Sequence, residues 1–79
     1  MELADPQVRS ILLGESDEFR GLAEEHAGFE SRLEVLTSTT LPTEQERIEE
    51  IQIKKHKLIL KDQMATLMRH YREKLVVAH

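Results

Sequence analysis

Apolar residues recur along this chain in two rhythms separated by a polar turn. Phe19, Leu22, His26, Phe29, Leu33 and Leu36 are spaced alternately three and four residues apart, the a/d alternation of a coiled-coil seam with a histidine in one apolar place. This predicts an amphipathic helix over about 16–37. Ser16 followed by Asp17 and Glu18 gives it a start signal, a hydroxyl N-cap with acids where the helix terminus favours negative charge. The run Thr37-Ser38-Thr39-Thr40-Leu41-Pro42 stops it, because hydroxyl and β-branched residues favour turns and Pro42 disfavours helix at Leu41. A turn is expected over 38–42.

Thr43-Glu44-Gln45-Glu46 reads as a capping box and opens a second helix, about 43–76, free of Gly and Pro to the end of the sequence. At about 100° per residue this helix carries two apolar stripes. Stripe one is Ile48, Ile51, Leu58 and Ala65, with Lys55 and Asp62 in the intervening seam positions; stripe two, on the opposite side, is Ile53, Leu60, Met64, Leu67 and Tyr71. Either stripe has the spacing to face the first long helix. An antiparallel pairing centred near residue 40 sets Leu33 beside Ile48, Phe29 beside Ile51, Leu22 beside Leu58 and Phe19 near Lys61 and Asp62, and so assigns stripe one to packing within the chain. Stripe two is then left outward, covered only by the N-terminal segment or by another copy. The expectation is an all-α fold: one domain over 1–79, an antiparallel two-helix hairpin that assembles as a homo-oligomer, a dimer or larger, most simply a four-helix bundle.

The first fifteen residues carry their own start signal, Asp5-Pro6, and a short apolar set, Val8, Ile11 and Leu12. A short helix there either breaks at Gly14 or runs on into the next. Gly14, Gly21 and Gly28 recur every seven residues and line one edge if the helix is continuous.

Length sharpens the case for assembly. A chain of 79 residues buries only about 60% of its unfolded surface, and with no cysteine it has no disulfide to supplement a small core. The missing cysteine also fits a reducing compartment. With no basic segment leading into a long apolar run and no span of about 18 apolar residues, a cytoplasmic protein without a membrane role is expected.

The net charge of −4 is unevenly distributed: residues 1–38 hold nine acids against three bases, residues 39–79 six against eight. The pairing above brings Glu24, Glu25 and His26 alongside Lys54, Lys55, His56 and Lys57, a charge match that would fix register. His26 is read as a structural histidine, hydrogen-bonded to Lys55 or a carboxylate. The basic residues Lys54, Lys55, Lys57 and Lys61 form the candidate partner surface, for an unidentified protein or, alternatively, for nucleic acid. No catalytic residue, cofactor site or metal site is expected. The chain lacks a cysteine nucleophile, a glycine-rich phosphate loop and G-x-S-x-G, and its four histidines fit neither HExxH nor the Glu-x-x-His of di-iron bundles.

The segment Ile53-Lys54-Lys55-His56-Lys57-Leu58-Ile59-Leu60-Lys61-Asp62 resembles the "LKKEKLxLKDE" signature of the YdcH-like family of small bacterial proteins of unknown function. Upstream, Phe19-Arg20-x-Leu22-x-Glu24-Glu25-His26 is similar to that family's "FRxLxEEH" motif. The likeness spans about residues 15–70. His56 departs from the usual Glu, Phe29 from the usual aliphatic residue, and Met64 likewise. The resemblance implies a self-associating bacterial helical hairpin and brings no reaction, substrate or ligand.

Overall fold

A computed structural model describes the backbone of residues 5–77 and the side chains of residues 5–74. The first four residues of the N-terminal segment, and His79, lie outside the described residues. Those described form three α-helices and no strand: α1, Asp5–Glu15; α2, Asp17–Ser38; and α3, Glu44–Val77. The molecule is a rod of 56 × 20 × 17 Å, its length set by the 34 residues of α3 at about 1.5 Å each.

Each helix boundary has a local cause. The chain breaks between α1 and α2 at Ser16, whose φ of −111° and ψ of 113° are extended and whose hydroxyl accepts from the Phe19 amide at 3.1 Å. Arg20 reaches back from α2 to the end of α1, donating to the Leu13 carbonyl at 3.0 Å and the Gly14 carbonyl at 3.2 Å. Two acceptors that α1 leaves unpaired at its C-terminus are thereby satisfied. At the end of α2 the hydroxyls of Thr37, Ser38 and Thr39 donate to the carbonyls of Glu34 and Val35. Thr43 and Glu46 then close a reciprocal box: the Thr43 amide donates to the Glu46 carboxylate at 2.9 Å, and the Glu46 amide to the Thr43 hydroxyl at 3.1 Å.

α2 and α3 run antiparallel across this turn. Arg32 lies opposite Glu49, Phe29 opposite His56 and Glu30 opposite Lys57. On α2, Phe19 and Leu36 are buried and Leu22, His26, Phe29 and Leu33 are half-buried. On α3 the two stripes hold the opposite places to those expected. Ile53, Leu60 and Met64 are only 4%, 6% and 5% exposed, and Leu67 and Tyr71 are half-buried, whereas Ile48, Ile51 and Leu58 are 49%, 56% and 62% exposed and Ala65 is exposed as well. Stripe two therefore packs inside the chain and stripe one faces outward.

Two physical causes account for this. The inward seam of α3 runs through Glu46, Glu50, Ile53, Lys57, Leu60, Met64, Leu67 and Tyr71 at an unbroken four-three spacing, every member buried or half-buried. Three of the eight are charged, so the seam is muted in a hydrophobic pattern, yet their aliphatic stems fill it while their heads reach water. The second cause is α1, which folds back over the end remote from the turn. Val8 and Leu12 join Phe19 and Met64 in the main core cluster, with Leu13, Leu22, Ala23, Leu67, Met68 and Tyr71 packed around it. A third helix thus covers Met64, Leu67 and Tyr71, the far end of stripe two, and another copy is not needed there. Asp5 pairs with Arg72, tying α1 to α3, and the Arg9 guanidinium lies 5.9 Å from the centre of the Phe19 ring.

Candidate interaction faces

With α1 and α2 both set against the inward seam, the opposite side of α3 is open. Its seam, Ile48, Ile51, Lys55, Leu58, Asp62, Ala65 and Arg69, repeats at three-four spacing and every member is exposed. Three large aliphatic side chains in one line on a helix back are more than the scattered apolar residues of an ordinary surface. Val35 and Ile59 are also more than half exposed, and Leu41 projects from the turn.

The candidate basic residues divide into two pairs. Lys54 is engaged by Glu50 on its own helix at 3.2 Å, and Lys57, whose side chain is 17% exposed, by Glu30 of α2 at 3.1 Å. Lys55 and Lys61 are exposed and, among the described residues, join no ion pair. The anticipated match of Glu24 and Glu25 with the lysine run does not form. Both carboxylates are exposed, Glu25 at the lip of the cleft between α2 and α3, and the pairs that bridge the helices are Arg32 with Glu49, at 2.6 Å, and Lys57 with Glu30. The hydrogen bond from Lys57 holds the Glu30 carboxyl below its ordinary range, and that from Arg32 does the same for Glu49, while Glu49 in return raises the Arg32 guanidinium.

His26 lies in the α2 seam, but its Nε2 is buried without a hydrogen-bond partner. The expected bond to Lys55 or a carboxylate is absent, since Lys55 sits on the far side of α3. Phe29 and His56 stack at 5.5 Å between ring centroids and 18° between planes. These are two of the three positions at which the sequence departs from its resembled pattern, and they form one contact: a flat aromatic face on α2 gives the imidazole on α3 a surface that a glutamate would not use.

Gly21 and Gly28 lie on the outward face of α2, and a Cβ on either would meet nothing within 4 Å. Neither has positive φ. Within the chain they therefore serve no conformational or packing need, although each costs about 0.5–1 kcal/mol of helix stability relative to Ala. Gly14 is separated from them by the break at Ser16, so the three do not form one helix edge.

Among the described residues no group of three or more His, Cys, Asp or Glu could hold a metal ion, and no helix is long and apolar enough to cross a membrane. The clefts beside the helices are shallow. One, between α2 and α3, is lined by Glu25, Gly28, Phe29, Arg32, Glu49, Gln52, Ile53 and His56; another, near α1, by Leu12, Ser16, Leu67, His70, Tyr71 and Lys74.

Neither the curated proteins nor the solved structures compared with the chain contain a match. The family model described as "Protein of unknown function (DUF465)" matches residues 19–68, beginning at Phe19 of the first motif and enclosing the whole of the second. The chain therefore belongs to the DUF465 family, the YdcH-like small proteins of unknown function.

Proposed function

We propose that this protein is a cytoplasmic, non-enzymatic interaction module that docks helical surfaces, including those of its own copies, through the outward face of α3. The observation that carries the reading is that Ile48, Ile51 and Leu58 keep a heptad line in solvent after every inward position of α3 has been used. Self-association moves with this face: Leu60 and Met64 lie within the chain's own core, so substitutions there would act on folding, whereas Ile51 and Leu58 are free to be changed without disturbing it. A photo-cross-linking residue placed at Leu58 is expected to give adducts in cells, and one at the exposed side position Gln63 is not. No adduct at Leu58 would end the reading.

A second reading, nucleic-acid binding, rests on Lys55 and Lys61, which together with Arg47 and Arg69 leave α3 with exposed cations that join no ion pair among the described residues. It requires affinity for mixed DNA or RNA that declines steeply with salt, because phosphate neutralisation releases counterions. Flat fluorescence anisotropy at low salt removes it.

A further inference from the structure

The outward faces of α2 and α3 have opposite character. α3 presents Arg47, Lys55, Lys61 and Arg69 around its apolar line, with Lys54 already held by Glu50 and Asp62 the one acid between residues 47 and 69 on that side. α2 presents Glu18, Glu24 and Glu34 around Gly21 and Gly28, with Glu25 at the edge toward its own α3, and its two arginines are already held, Arg20 by Asp17 and Arg32 by Glu49. Two α3 faces brought together would set like charges against each other, which weighs against a symmetric α3 contact. An α2 face would instead supply the missing acids.

We infer that the outward face of α3 receives the outward face of α2 from a second copy, antiparallel, with Ile51 over Gly28, Leu58 over Gly21 and Lys55 beside Glu24. The inference rests on the docking role proposed above for α3 and names its occupant. Register follows from spacing. Ile51 and Leu58 are seven residues apart, as are Gly28 and Gly21, so both apolar side chains meet a glycine at the same time, about 10.5 Å apart along each helix. In this register each a position of one helix faces a d position of the other, as antiparallel seams require. Ser31 falls opposite Ile48, and Glu34 flanks Arg47. The unfavourable layer sets Asp17 opposite Asp62 and, by the spacing that puts Glu34 beside Arg47, Arg20 beside Lys61; each acid is offset by a cation of its own chain, Asp17 by Arg20 at 3.0 Å and Asp62 by its neighbour Lys61. The two glycines acquire a purpose that they lack within one chain, since a Cβ at either would occupy the place of the incoming side chain.

Because the two faces differ, each contact leaves one of each kind unused, and association continues beyond a dimer unless the geometry closes a ring. Light scattering on the full chain over a dilution series tests this. Wild-type mass is expected to rise with concentration past two chains and to fall with added salt. Ile51→Lys/Leu58→Lys disables the α3 face and Gly21→Arg/Gly28→Arg the α2 face; each variant should stay monomeric with unchanged helicity. Mixed in equal amounts they should form a species of two chains and nothing larger, because one intact face of each kind remains. The milder Gly21→Ala/Gly28→Ala should raise the melting temperature while weakening association by about tenfold or more. If the glycine variants associate as the wild type does, the inference is overturned in favour of a symmetric α3 contact, and the docking role stands. A wild type that remains monomeric with no mixed complex also overturns it. In that case an adduct of foreign mass at Leu58 preserves the docking role, and no adduct removes both.

Discussion

At the residue scale, the informative positions are those where a polar group sits in an apolar seam. His26 occupies one, with Nε2 buried and unpartnered, and a buried polar atom without a hydrogen bond costs about 1–3 kcal/mol. His26→Leu should therefore stabilise the fold by about 1 kcal/mol, a rise of about 4–8 °C in melting temperature for a domain of this size; a lower melting temperature would mean that the imidazole has a partner in solution. Glu30 and Glu49 behave in the opposite way, since each carboxylate has found a cation across the α2 and α3 boundary. Their folded-state pKa values lie below the ordinary range, so the stabilisation is present above that range and is lost as pH falls through the folded values. Both groups are open to water, and the effect is correspondingly small. Comparing wild type with Glu30→Gln/Glu49→Gln by thermal melting should show the wild type ahead at neutral pH and the gap closing on acidification. A gap that persists in acid would assign the difference to something other than charge.

At the element scale, the question is which side of α3 does the packing, and two leucines two residues apart decide it. Leu60→Ala should cost about 2–5 kcal/mol by opening a cavity in the core, and Leu58→Ala less than about 0.5 kcal/mol, because Leu58 stands in solvent. Equal losses in chemical denaturation would contradict the arrangement of the two stripes. That arrangement was the part least legible in the sequence. The all-helical character, the turn after Leu36 and the start signals at Ser16 and Thr43 could be read directly, because capping hydroxyls and a proline act on their immediate neighbours. The facing side of α3 depends instead on distant partners. Glu46, Glu50 and Lys57 hide its inward seam, Ile48 and Ile51 advertise the wrong one near the turn, and a displacement of about two residues in antiparallel register turns the contact to the other side of a helix. α1 was equally hard to place, since Val8 and Leu12 announce an apolar surface but not the helices it will cover. The candidate face was legible as a line of residues, and only its exposure required the fold.

At the scale of the whole molecule, the rod is uneven along its 56 Å. Three helices converge at the end remote from the turn, where Val8 and Phe19 are fully enclosed, while the turn half rests on α2 and α3 alone, with Leu36 and Ile53 as its buried members. Local opening is easiest where few apolar contacts hold the backbone. Amide hydrogen exchange in dilute solution should therefore protect residues 17–24 and 60–71 most strongly and release residues 30–38 and 44–52 earlier, although the latter lie in the middle of the chain. The proposed docking face spans this boundary: Ile48 and Ile51 belong to the thin half, and Leu58 approaches the thick one. Association through that face would add apolar contacts where the single chain has fewest. Protection over 44–52 should consequently rise with protein concentration while that over 60–71 stays constant. Uniform protection along α3 at every concentration would show that the thin half is held by the chain alone, and that its exposed isoleucines contribute nothing to a larger assembly.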